Sequence, residues 1–137
     1  MTTSGTELTT AATDALLAMA CIAAFIALQR LRVRDEWKRP IWASVLALLA
    51  LGSAIGAITH GFDWSHVGRL LLRRSLFPIL GLAVAMFVVG AIADWRGRNA
   101  ARAARPWAIG LGLATLALPL LFDGGFVMFV FFEAAGM

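Results

Sequence analysis

The stretch PIWASVLALLALGSAIGAIT, residues 40–59, contains no Asp, Glu, Lys, Arg or His. As a helix rising 1.5 Å per residue it is about 30 Å long, the thickness of a bilayer's hydrocarbon core. Three more uncharged apolar runs flank it, at residues 15–29, 75–93 and 106–122. The first reaches spanning length once residues 11–14 and the stem of Arg30 are included, because a terminal Arg can snorkel to the headgroups. The pattern predicts an all-α fold, a polytopic membrane helix bundle with four transmembrane helices over about 12–31, 40–60, 75–95 and 106–122. At 61% hydrophobic residues and a mean hydropathy of +0.82, the 137-residue chain reads as one integral membrane domain, 1–137, rather than a soluble one.

The tail departs from this pattern. Asp123-Gly124-Gly125 breaks the helical run, helped by Pro119 one turn earlier, and residues 126–132 are apolar again before Glu133. Residues 125–137 are too few to span, so they are expected to form a partial fifth C-terminal hydrophobic segment.

Basic residues collect on the cytoplasmic side of membrane proteins. Nine of the twelve Lys and Arg residues lie in two segments, after the first run (Arg30, Arg32, Arg34, Lys38, Arg39) and after the third (Arg96, Arg98, Arg102, Arg105). Alternation puts these segments on one side. The other side receives the N-terminal tail and the 61–74 loop with Arg69, Arg73 and Arg74. The expected location is therefore a bacterial plasma (inner) membrane, multi-pass, with the N-terminus outside or periplasmic. Trp37, Trp42, Trp95 and Trp107 fall at the basic boundary and Trp64 at the opposite one, as an interfacial belt would place them. The first run is not expected to be a cleaved signal, because residues 1–13 hold Glu7 and no basic residue. The basic residues come in short segments, not a continuous face, which argues against nucleic acid as a partner. A single Cys, Cys21, excludes an internal disulfide framework and reads as a buried thiol.

Within the second run, Gly52, Ser53 and Gly56 form a small-residue face for helix packing, and His60 lies one turn further on the same face. Asp14, His60, Asp63, His66 and Asp123 are all expected at the non-basic rim. Rim and intramembrane ionisable groups are candidates for function. Two imidazoles with carboxylates suit a divalent ion, so His60, His66, Asp14 and Asp123 are the candidate metal ligands, with Asp14 and His60 as candidate catalytic groups. Haem is less favoured, because His60 and His66 are too close along the chain to face each other across one porphyrin. Each residue also has a plainer role. Asp14 reads as a helix cap, Asp123 as a turn residue and His60 as an interhelical hydrogen bonder. Residues 64–72 read as a short interfacial helix capped by Asp63 or Ser65, with Arg69, Arg73 and Arg74 meeting lipid headgroups.

Asp14, the Ser53-bearing helix and its closing His60 remotely resemble the membrane-embedded metal hydrolases related to alkaline ceramidases and progestin receptors. The seven spans and closing HxxxH of that group are missing here, so the resemblance assigns no family. Small multidrug transporters and fluoride channels are similar in size only. No catalytic constellation is complete, so the first expectation is a non-enzymatic accessory or structural subunit, or an assembly factor, of a membrane complex. Its partners would be the lipid bilayer and its own copies or a larger complex. A metal-dependent, membrane-embedded lipid hydrolase working at the outer rim is the alternative. A small dimeric transporter or channel, with Asp14 or Glu133 as the ion-coupled group, is the second alternative.

Overall fold

A computed structural model describes residues 5–31 and 36–114. Among them are four α-helices and no strand: α1 (Gly5–Arg30), α2 (Arg39–Gly61), α3 (His66–Arg96) and α4 (Arg98–Ala114). A single 3-10 turn, Glu36–Lys38, leads into α2. The fold is the all-α bundle that the apolar runs predict, and α1, α2 and α3 are each long and apolar enough to cross a membrane. Of the run at 106–122, residues up to 114 belong to α4. The remainder, and the segment 125–137, lie outside the described residues.

The helices pack in chain order, α1 on α2, α2 on α3 and α3 on α4. The core is made of small side chains: Ala18 and Cys21 from α1, Ala43, Ala50 and Gly52 from α2, Gly81, Ala85 and Gly90 from α3. Val89 is the one large side chain among the described residues that is sealed off completely. This composition suits helices long and apolar enough to cross a membrane. Lipid tails are as apolar as Leu, so helices gain by close backbone approach more than by burying large groups. Large apolar residues such as Leu16, Met19, Ile22 and Phe87 face outward.

Three local signals set the helix ends. Pro40 sits in the first turn of α2, where its missing N–H costs nothing. Ser65 caps α3, its hydroxyl accepting a hydrogen bond from the Gly68 N–H at 3.2 Å. Gly97 joins α3 to α4 at φ +83° and ψ −173°, a region open almost only to glycine.

Two expectations change here. The stretch 64–72 is no separate interfacial helix: from His66 it forms the first turns of α3, which runs unbroken for 31 residues, about 46 Å. Pro78 inside α3 removes one backbone hydrogen bond without ending the helix. Likewise, Arg98, Arg102 and Arg105 do not lie in a loop. The alanines between them are strong helix formers, and the segment folds as the start of α4.

Candidate functional site

The α1–α2 seam holds Asp14, one of the polar residues predicted for the non-basic end. Its register is antiparallel: Gly61 faces Ala11, and Gly56 faces Asp14. A methyl group on Gly56 would come within 2.5 Å of Asp14 Oδ2, so the carboxylate occupies the gap that the absent side chain leaves. Asp14 lies about 14 Å along α1 from its start, well past any N-cap position. It is half-buried. Among the described residues no donor makes a hydrogen bond to its carboxylate and no cation pairs with it. The cap reading of Asp14 therefore gives way to a mid-helix carboxylate seated on a neighbouring backbone.

The other polar groups predicted for this end are spread over α2, the α2–α3 connection and the start of α3. Ser53 and Thr59 are buried on α2, and Thr59 donates its hydroxyl hydrogen bond back to the Ile55 carbonyl at 2.7 Å. His60, half-buried, ends the same helix. Asp63 and His66 are exposed, in the connection and at the first position of α3. Trp64 folds back and donates its indole N–H to the Ile58 carbonyl at 3.0 Å. Arg69 of α3 reaches Glu7 of α1 at 3.9 Å, and Arg73 and Arg74 are exposed. No three His, Cys, Asp or Glu side chains among the described residues form a group that could hold a metal ion. Asp123 and Glu133 lie outside the described residues.

The small-residue face of α2 is used within the chain. Gly52 is packed on Leu80 and Ile79 of α3, whereas Gly56 is packed on Asp14 of α1. Gly52, Ser53 and Gly56 are all buried. They join α2 to its two neighbours within the chain and leave no open small-residue face there.

At the basic end, a second polar cluster ties the helices together. Lys38 Nζ and Asp94 Oδ1 form an ion pair at 2.8 Å, which joins the entry of α2 to the exit of α3. It shows that the two basic segments lie at one end of the bundle, as alternation requires. Arg39 donates from Nη2 to the Leu31 carbonyl at 2.8 Å, stabilising the C-terminal end of α1. Lys38 and Arg98 both lie over the Trp37 ring, at 5.6 and 6.0 Å from its centre, and Trp37 packs against the buried Val89, Ala93 and Ala101. Trp95 and Trp107 project outward, as a belt would have them. Trp42 does not. Its ring lies over Gly90, where a methyl group would come within 3.1 Å, and meets Phe87 edge to face at 5.8 Å. It is a packing residue between α2 and α3. Nothing in one linear stretch marks Gly90 or Asp94 for these contacts.

Chemically, the seat places an acceptor-rich carboxylate side chain against the backbone of a neighbouring helix. One family model matches residues 9–137, that of DUF6962, described as a family of unknown function. No curated protein matches the chain, and no solved structure does.

Proposed function

The chain belongs to this family of unknown function, and from that premise we propose that it is a non-enzymatic accessory subunit or assembly factor of a membrane complex. It would dock through the outer face of α1, with its basic end cytoplasmic in a bacterial inner membrane. The observation that carries this reading is the outer surface of α1. It is the least buried of the three membrane-length helices, and the side turned away from α2 includes Ala12, Ala20, Ala23 and Ala27, all exposed. Alanine gains little from contact with lipid tails but lets a second helix come close. The Gly52–Gly56 face cannot serve, being already occupied.

A photoreactive residue at position 23 tests this in native membranes, with one at position 87 on α3 as the control. A discrete cross-linked protein from position 23, lost when Ala20 and Ala27 are changed to Leu, is the expected result. Cross-links to lipid alone from both positions would end the proposal.

A second reading, a small ion-coupled transporter, draws support from Asp14 on Gly56. An intramembrane carboxylate is costly to keep unless it has a task. Proton flux into liposomes that falls to background in Asp14→Asn is what this reading requires; flux unchanged by the substitution removes it.

A further inference from the structure

Helices α2 and α4 both start at the basic end and both pack on α3, and an open groove of about 380 Å³ is left between them. Leu82 and Met86 of α3 form its floor. On α2 it runs from Ser44 to Leu51, about 10 Å along the helix. On α4 it is lined by Ile109 and, nearer the basic end, Arg105. The groove is thus apolar along its length with a guanidinium at one end.

That guanidinium is not alone. Arg98, Arg102, Arg105 and Ile109 are spaced i, i+4, i+7 and i+11, so they share one face of α4, and this is the face that lines the groove. Among the described residues no carboxylate lies within ion-pair distance of Arg102 or Arg105. Exposed Trp107 follows two residues after Arg105, the residue type that settles at the headgroup layer. The arginines precede the apolar part of α4, which puts them at the level of lipid phosphates while the groove runs inward among the tails.

We propose that this groove binds one anionic membrane phospholipid, with an acyl chain lying along Leu82 and Met86 and the phosphate held by Arg105. A guanidinium presents parallel N–H donors that match phosphate oxygens. Arg98 and Arg102 add positive charge that selects an anionic headgroup over a zwitterionic one. The charge at the groove's end complements a phospholipid and nothing wholly apolar, which decides the occupant.

The test uses the full chain in nanodiscs of equal phosphatidylglycerol and phosphatidylcholine, released and weighed intact by native mass spectrometry. Wild type is expected to retain one phosphatidylglycerol per chain in at least fivefold preference. Arg105→Gln removes the phosphate contact from an exposed site and is expected to abolish that preference. Ala47→Phe fills the groove from an exposed α2 position without touching the arginines, and is expected to abolish retention. Equal retention of both lipids by wild type, or none at all, overturns the proposal. Loss in Arg105→Gln alone means surface headgroup binding, and loss in Ala47→Phe alone means a groove indifferent to phosphate; each overturns it too. Unchanged helical circular dichroism and thermal midpoint in both variants keep these outcomes distinct from misfolding.

Discussion

Two glycines in this bundle have almost the same clearance and opposite tolerance. A methyl on Gly112 of α4 would lie 2.8 Å from the Gly81 carbonyl oxygen of α3; one on Gly56 of α2 would lie 2.5 Å from Asp14 Oδ2 of α1. The second contact is the shorter, yet it is the softer one. A carboxylate is the far end of a rotatable side chain and can swing away. A helix carbonyl cannot move without carrying α3 with it. Distance alone therefore ranks the two interfaces wrongly. The α3–α4 crossing is a rigid joint, backbone on backbone, whereas the α1–α2 crossing holds a movable polar group in a seat sized for it. Only the second leaves a side chain free to change its position without moving a helix.

The comparison breaks if Gly112→Ala is mild. We expect it to be the most damaging small substitution in the described chain, costing about 3 kcal/mol, the upper end of the usual overpacking range. Denaturant unfolding in detergent micelles measures it. The Ala85 methyl, 3.1 Å from the added methyl, closes the other direction of escape. Gly97→Ala should come next, at about 2 kcal/mol, for a reason unconnected with space: nothing lies within 4 Å of its added methyl, and the cost is the positive φ alone. Gly97→Asn, which tolerates positive φ better, should recover only part of that loss, since ψ at this position is extended rather than helical.

Gly56→Ala should cost less than either, about 1 kcal/mol, because the Asp14 side chain yields. The sharper measurement is a double-mutant cycle. In an Asp14→Ala background the Gly56→Ala cost should fall below about 0.5 kcal/mol, since the atoms it meets are gone. Gly112→Ala should be unchanged by Asp14→Ala, as the two lie in separate interfaces. Equal costs for Gly56→Ala in both backgrounds would show that the carboxylate is not seated there.

How much of this is legible in the sequence depends on whether a feature is decided locally. Charge-free length is, because a bilayer tests each run by itself; the bundle class and α1 to α3 follow from it. The side-by-side placement of the two basic segments follows from alternation. Pairing is not local. That Gly90 receives Trp42, or that Gly112 meets Gly81, depends on the register between segments far apart in the chain, and every helix here offers several small residues of equal promise. Residues 98–105 mislead in the other direction: four charged or polar side chains suggest a loop, while the alanines between them carry the helix from Gly97 onward. At the candidate site, Asp14 and His60 are legible as polar residues of one end, but the seat on Gly56 is visible only once α1 and α2 are in register.

The smallest effect belongs to the basic end, and it sharpens the contrast from the exposed end of the bundle. Lys38 and Asp94 pair at 2.8 Å, with the Lys side chain 22% and the Asp side chain 48% exposed. Good geometry at the surface is worth little, because water screens the pair and two side chains must be held still. A cycle through Lys38→Ala and Asp94→Ala should return a coupling of about 0.5 kcal/mol, shrinking further in 1 M salt. Lys38 also lies over Trp37, so Lys38→Ala alone should cost more than Asp94→Ala alone. The reverse order would mean that Asp94 has a structural duty beyond the pair. A coupling several times larger would mean that the basic end, and not the α3–α4 backbone joint, sets the position of α3 against α2.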